Sequence, residues 1–172
     1  MNGIKKYFLS ILCLALLVGL AAARFILPPI QPGDDAPDFT LYKLGGGTVS
    51  LHDYKGKTTV VHIWSHTCPH CRKLDQTLPD IVRPYRKSNI VYIMIDIDSD
   101  TIGWRDIVKE DKLNFAIHAL DPHDGASKIM EDYNAPGTPC INIVDRKGKL
   151  TAVNINTAEE LQKALNNLKR DL

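Results

Sequence analysis

Two cysteines three positions apart, Cys68 and Cys71, are the residues of this 172-residue chain whose type and spacing predict chemistry. A Cys-x-x-Cys pair can form a reversible disulfide, and it can also supply half of a structural zinc site. Structural zinc usually requires a second pair of ligands at matching spacing. Cys13 and Cys140 each stand alone in the sequence. Redox chemistry is therefore the interpretation that we prefer.

The sequence around the pair predicts which sulfur reacts first. A strand-like run over 58–64 precedes the pair and apolar residues at helical intervals follow it, so a helix should begin near Cys68. Pro69 suits the first turn of a helix, where a missing N–H costs nothing. The free N–H groups and positive dipole end of the helix should favour the thiolate of Cys68. We expect Cys68 to be the nucleophile and Cys71 the resolving thiol.

Three histidines lie near the pair. His70 can stabilise the Cys68 thiolate, which would make the disulfide a stronger oxidant, or it can be an exposed residue without effect. His62 can accept a proton when Cys71 attacks a mixed disulfide, or it can be a core histidine bonded to a backbone carbonyl. His66 is expected to be an exposed surface residue.

A second feature lies far downstream, where Thr138 and Pro139 precede a strand-like run at 141–144. With the dithiol, the chain resembles the thioredoxin fold, and within it the TlpA- and ResA-like thiol-disulfide oxidoreductases of the bacterial envelope. The resemblance covers about residues 33 to 168, and its motifs are 33–41, 51–57, 64–71 and 137–150. It implies a cis bond at Pro139 facing Cys68, which helps an extended substrate segment to bind, and a Thr138 that offers its backbone groups to that substrate.

The order of predicted helices and strands is that of an α/β protein. The resemblance implies a thioredoxin-like fold with a central mixed β-sheet flanked by helices and an added N-terminal β-hairpin, here around Gly45–Gly47. The active-site helix is expected to reach about Lys87, with a kink at Pro79. ResA-like proteins have an acid in this helix six residues after the first cysteine. Leu74 occupies that position and Asp75 should point elsewhere, which leaves His62 as the substitute.

The N-terminal residues predict export. Residues 1–27 are interpreted as a signal anchor or a signal peptide, with two lysines before an apolar run at 7–23. The run reaches the lower limit of a membrane span, whereas Ala21–Ala23 could serve as a cleavage signal. We favour an uncleaved anchor in the inner membrane, with the domain in the periplasm or outside. The alternative is a cleaved, soluble periplasmic protein. Residues 28–37 are expected to form a Pro-rich spacer and 38–172 the thioredoxin-like domain.

The charge balance bears on the partners. The chain carries 21 basic and 20 acidic residues, a formal net charge of +1. Nucleic-acid binding relies on clustered positive charge, so nucleic acid is not an expected partner. The expected partners are protein thiols and disulfides and a membrane redox partner, and no bound cofactor is expected.

Two directions and one different class of function stay open. The resemblance of the whole domain favours a reductant, whereas Pro69-His70, the dipeptide of DsbA, favours an oxidant. In the other class, the chain would bind or deliver Cu(I) through Cys68, Cys71 and Cys140 or a nearby histidine, because thiolates and imidazoles suit that ion. Cys140 is otherwise expected to be a small buried hydrophobic residue that opens a strand.

Overall fold

The computed structural model describes residues 28–85, 87–121 and 127–168. Its strands are β1 (Thr40–Lys43), β2 (Thr48–Ser50), β3 (Thr58–Trp64), β4 (Ile90–Asp96), β5 (Ile117–Leu120), β6 (Cys140–Val144) and β7 (Leu150–Ile155). Its helices are α1 (Pro69–Asp75), α2 (Leu78–Val82), α3 (Thr101–Glu110), α4 (Lys128–Asp132) and α5 (Ala158–Leu168). Short 3-10 turns occupy Leu51–Tyr54 and Arg83–Tyr85.

The seven strands form one mixed sheet in the order β2-β1-β5-β4-β3-β6-β7. β3 runs parallel to β4 and antiparallel to β6, and all seven of its residues are buried. A strand that is covered on both faces is usually rich in apolar residues, and Val60, Val61, Ile63 and Trp64 fit this rule. Thr58, Thr59 and His62 are buried polar residues of the same strand. The structure thus confirms the predicted α/β class with a central mixed sheet.

The side chains of β3 alternate between the two faces of the sheet. Trp64 packs in one core cluster with Cys71 and α5, and we call this side the dithiol face. Ile63 packs in a second cluster on the opposite face, together with Cys140. Successive residues of a strand point to opposite faces, so the sheet separates the two clusters.

The predicted N-terminal hairpin is present. β1 and β2 pair antiparallel, and β1 also pairs antiparallel with β5, which adds the hairpin to the edge of the sheet. The turn contains Gly45, Gly46 and Gly47, whose φ angles are 97°, 106° and 73°. Glycine adopts these left-handed angles without a steric cost, so the three glycines make this turn possible.

The active-site helix differs from its prediction. It is divided into α1 and α2 by Gln76 and Thr77, and the Thr77 hydroxyl donates to the Leu74 carbonyl at 2.7 Å. Pro79 lies in the first turn of α2, where a missing N–H is harmless. The break lies in the turn just before Pro79, which has no N–H to donate to the carbonyl of Asp75 four residues earlier, so the kink expected at Pro79 takes the form of a division of the helix. The helical region ends in a 3-10 turn before Lys87.

The predicted spacer at 28–37 is also shorter than expected. The N–H of Gly33 donates to the Leu150 carbonyl at 2.7 Å, and the N–H of Ala36 donates to the Gly148 carbonyl at 2.9 Å. Residues 33–36 are therefore held by the β6–β7 hairpin and belong to the domain. The sequence pattern could not show this pairing because its partners are more than 100 positions away.

The segment 1–27, interpreted as a signal anchor or signal peptide, lies outside the described residues. Within the described ranges, none of the helices combines the length and the apolar character needed to cross a membrane.

Candidate active site

Cys68 is the N-cap residue of α1, with Pro69 in the first turn that follows. The Cys71 N–H donates to the Cys68 sulfur at 3.4 Å, and the Cys68 thiol donates to the Thr138 carbonyl at 3.6 Å. Partial burial alone would raise the pKa of Cys68, but hydrogen bonds with the backbone and side chain of Cys71, with the side chain of Thr138 and with the backbone of His70 outweigh it. The pKa of Cys68 therefore lies below its ordinary value, as expected for a thiol that serves as nucleophile.

Cys71 has the opposite character. Its side chain is fully buried on the dithiol face, and this burial raises its pKa to about 12. Both cysteines are free thiols in the structure. The pair thus joins one activated, partly exposed sulfur to one buried sulfur that reacts only after a base has removed its proton.

Asp75 is a buried acid behind the pair, which corrects the expectation that it points elsewhere. It lies four residues after Cys71, and residues four apart share one face of a helix. Its side chain is fully buried, and Oδ1 lies 3.9 Å from Nε2 of His62. Burial, followed by the charge of Asp111 and that of the Cys68 thiolate, raises the pKa of Asp75 to about 8.

His62 lies on β3 and is also fully buried on the dithiol face. Nδ1 lies 3.4 Å from the Tyr92 hydroxyl, so the ring contacts a side chain instead of the backbone carbonyl that one interpretation expected. Burial, together with the nearby His118, lowers the pKa of His62 to about 3. Within the described residues, Nε2 of His62 and both carboxyl oxygens of Asp75 have no hydrogen-bond partner. Because the pKa of His62 is about 3, its imidazole is neutral at physiological pH.

A cleft of about 420 Å³ opens beside the pair. Its walls include His70, Thr138 and Pro139, together with Asn156 and Thr157. The Thr138–Pro139 peptide bond is cis, and the Thr138 carbonyl accepts the Cys68 thiol as described above. The imidazole of His70 is exposed at the cleft. An extended segment lying in this cleft would meet the Cys68 sulfur and the backbone of Thr138.

Cys140 does not join the pair. It lies in the core cluster on the opposite face of the sheet from Cys71, with its side chain buried. Its thiol donates to Oδ1 of Asn154 at 3.2 Å and accepts the side-chain amide of Asn142 at 3.5 Å. A metal site made of Cys68, Cys71 and Cys140 is therefore wrong for this fold. The alternation of side chains along a strand that begins beside Pro139 explains the separation.

His66 corrects a further expectation, because it is buried instead of exposed. Nδ1 lies 2.8 Å from Asp96 Oδ2 and 3.2 Å from Asp98 Oδ2. The acidic residues at the end of β4 were a usable signal. Parallel neighbours bring their carboxyl ends to one edge of a sheet, so residues after β3 and β4 had to meet there.

The three side chains of His66, Asp96 and Asp98 are a candidate metal-binding group. Their spacing, however, is that of hydrogen bonds, and their oxygens are already engaged. Asp96 Oδ1 accepts the Asp98 N–H at 2.9 Å, and Asp98 Oδ2 accepts the hydroxyls of Ser65 and Thr67 at 2.8 Å and 3.0 Å. The geometry fits a hydrogen-bond network around the active-site turn better than a metal site.

Comparison with known proteins agrees with this site. The family model named Redoxin matches residues 31–172. Thiol-disulfide oxidoreductase ResA of Bacillus cereus is 27% identical over 135 residues, which cover 77% of this chain and 76% of that protein.

Two solved structures extend the comparison. The thioredoxin domain of a thiol-disulfide oxidoreductase from Bacteroides vulgatus superposes with a TM-score of 0.73 at 27% identity, covering 81% of this chain and 98% of that domain. A secreted disulfide oxidoreductase of Mycobacterium tuberculosis, homologous to E. coli DsbE, superposes with a TM-score of 0.63 at 25% identity, covering 75% of this chain and 95% of that one.

The fold and the dithiol together define a thioredoxin-fold protein disulfide oxidoreductase. The chain belongs to the Redoxin family, and the predicted similarity to the TlpA- and ResA-like proteins is confirmed.

Proposed function

We propose that this chain is a membrane-tethered thiol-disulfide oxidoreductase of the bacterial envelope that reduces protein disulfides through Cys68 and Cys71. The observation that carries the proposal is the asymmetry of the two sulfurs. Cys68 is partly exposed beside the cleft and has a lowered pKa, whereas burial raises the pKa of Cys71 to about 12. Such a pair can attack a substrate and then release it.

The reaction has two exchange steps. The Cys68 thiolate attacks one sulfur of the substrate disulfide, so the substrate S–S bond breaks, a mixed disulfide forms and the other substrate sulfur leaves as a thiolate. Cys71 then loses its proton and attacks the Cys68 sulfur. The Cys68–Cys71 disulfide closes and the second substrate sulfur leaves as a thiolate. The substrate gains two electrons, and the protein loses two.

Asp75 is the group we propose as acceptor of the Cys71 proton. Its pKa of about 8 lies near the working pH, which is the property of an efficient general base. His62 was the sequence-based candidate for this role, but its pKa of about 3 makes the imidazole a weak base. We assign His62 the part of a neutral neighbour that shares the buried space with the Asp75 carboxylate, since Nε2 and Oδ1 lie 3.9 Å apart.

Thr138 and Pro139 are the residues we propose for substrate binding, because both line the cleft beside the pair and the Thr138 carbonyl contacts the Cys68 thiol. The backbone of Thr138 would pair with an extended substrate segment, as it does with the Cys68 thiol in the free protein.

Pro69 and His70 would tune the redox potential from the first turn of α1. Residues 7–23 would tether the domain to the inner membrane, where a membrane redox partner would resupply electrons.

Trapping of a mixed disulfide tests the proposal. The Cys71→Ser variant should accumulate a covalent complex between Cys68 and a disulfide-bonded substrate, because the release step needs the second thiol. With dithiothreitol to reduce the Cys68–Cys71 disulfide after each round, the wild-type protein should turn over insulin in metal-free buffer, and Cys140→Ser, which alters a cysteine on the other face of the sheet, is the matched control. Absence of both turnover and trapping, with stoichiometric tight Cu(I) binding instead, would support the copper-binding alternative.

A further inference from the structure

Asp98, in the loop after β4, holds the turn that precedes Cys68. One carboxylate oxygen, Oδ2, accepts three hydrogen bonds from this turn: from the Ser65 hydroxyl at 2.8 Å, the Thr67 hydroxyl at 3.0 Å and the Thr67 backbone N–H at 3.1 Å. Hydrogen bonds to an ionised acceptor are roughly twice as strong as neutral ones. Asp98 therefore connects the turn to the end of β4, although it lies 31 residues after Thr67 in the chain.

Ser65 connects this carboxylate to both sulfurs. Its carbonyl accepts the Cys68 N–H at 3.1 Å, which sets the position where α1 begins. Hydrogen bonding to the Ser65 backbone is also one of the causes that lower the pKa of the buried Cys71 thiol, against the larger rise that burial produces. A displacement of Ser65 would thus change the surroundings of the nucleophile and of the resolving thiol together.

His66 fixes the same turn from its other side. Its ring lies between Asp96, which contacts Nδ1 at 2.8 Å, and the first turn of α3. A Cβ atom at Gly103 would lie 3.0 Å from Nε2 of His66 and 2.7 Å from Oδ2 of Asp100, so only glycine lets α3 approach this closely. The turn is held between β4 and α3: Asp96 contacts His66, and Asp98 contacts Ser65 and Thr67 directly.

We propose that Asp98 is a positioning residue for thiol-disulfide exchange: through Ser65 and Thr67 it holds the Cys68 sulfur toward the cleft with the Cys71 sulfur behind it. The inference rests on the proposed function, because it concerns the geometry of the same two exchange steps. Attack on a disulfide needs three sulfurs in line, and a misplacement of about 1 Å can cost a reaction on the order of 10²-fold. A small alkylating reagent has no such requirement, since it approaches the exposed thiolate from any free direction.

The test compares these two reactions in the full chain. The Asp98→Asn variant should reduce a peptide disulfide about tenfold more slowly in single turnover, whereas alkylation of Cys68 by iodoacetamide at the same pH should change less than about twofold. Asp106→Asn, which removes the same charge from an exposed position on α3, should leave both rates unchanged. Thr67→Val, which removes one donor, should slow exchange by about threefold and serves if Asp98→Asn does not fold.

A double-mutant cycle identifies the path of the effect. In a Ser65→Ala, Thr67→Val background, Asp98→Asn should slow exchange by less than about threefold, because its side-chain donors are already absent. Equal exchange rates for Asp98→Asn and Asp106→Asn would overturn the proposal, as would a parallel tenfold loss of alkylation or a fully additive cycle. A wild-type protein that alkylates normally but exchanges no disulfide would instead refute the proposed function.

Discussion

Replacement of Asp75 by asparagine should stabilise the reduced protein, and the gain should depend on pH. The ordinary pKa of an aspartate is 3.8, whereas burial raises the pKa of Asp75 to about 8 in the folded chain. The unfolded chain therefore loses this proton near pH 4 and the folded chain keeps it until about pH 8. Between these values the unfolded state binds fewer protons, so the free energy of unfolding falls as the pH rises.

The size of this change in the free energy of unfolding follows from the pKa shift of Asp75. One pKa unit corresponds to about 1.4 kcal/mol, so the upper limit of the penalty is about 4 kcal/mol at pH 7. Neighbouring groups relax around a buried charge, so we expect about half of that limit, about 2 kcal/mol. Asparagine keeps the shape of the side chain and removes its ionisation. The gain of Asp75→Asn over wild type should thus be near zero at pH 4, grow toward pH 7 and level out above about pH 8.

Urea unfolding of the reduced proteins at several pH values measures this gain, with Asp106→Asn as a control whose difference from wild type should not change with pH. A stability difference between Asp75→Asn and wild type that stays constant from pH 4 to pH 8 would refute the reasoning. A loss of stability at pH 8 in the variant would do so as well.

Three further outcomes are expected. The rate at which Cys71 resolves a preformed mixed disulfide should rise with pH toward a midpoint near 8, and stopped-flow measurement should find this rise missing in Asp75→Asn; a rise of this step that persists in the variant would exclude Asp75 as the base. His62→Ala should slow exchange with little change in reduction potential, because ionised Asp75 loses a polar neighbour; unchanged rates across pH would remove this role. Cys140 should stay a free, slowly alkylated thiol in the oxidised protein, and Cys140→Ala should keep full exchange activity; a disulfide that includes Cys140 in peptide mapping would contradict its place on the opposite face.

The features that the sequence predicted, the start of the active-site helix and the N-terminal hairpin, depend on interactions between residues that are close in the chain. The helix that begins at Cys68 follows from a proline suited to the first turn and from apolar residues at helical intervals. The hairpin at Gly45–Gly47 follows from residues that tolerate left-handed angles. Each of these features is decided by residues within one or two turns of one another, so a single sequence contains the necessary information.

The rest of the site depends on contacts between distant segments. His66 is buried because the ends of β3 and β4 lie side by side, and Asp98 contacts the active-site turn for the same reason. The backbone hydrogen bond between Gly33 and Leu150 likewise joins residues that are far apart in the chain. Asp75 is different, since its position four residues after Cys71 was visible in the sequence. The family resemblance places the acid at the position of Leu74, whereas helical geometry places Asp75 on the same face as Cys71. The buried position of Asp75 agrees with the helical geometry.

The reduction potential of the Cys68–Cys71 couple in the full chain tests the central claim most directly. It is measured by equilibration against glutathione or dithiothreitol, with thiol trapping or Trp64 fluorescence as the signal. A reductant requires a value near or below about −250 mV, close to that of thioredoxin at about −270 mV, and this is the result we predict. A value near about −120 mV, as in DsbA, would mean that His70 dominates the couple and that the protein oxidises its substrates.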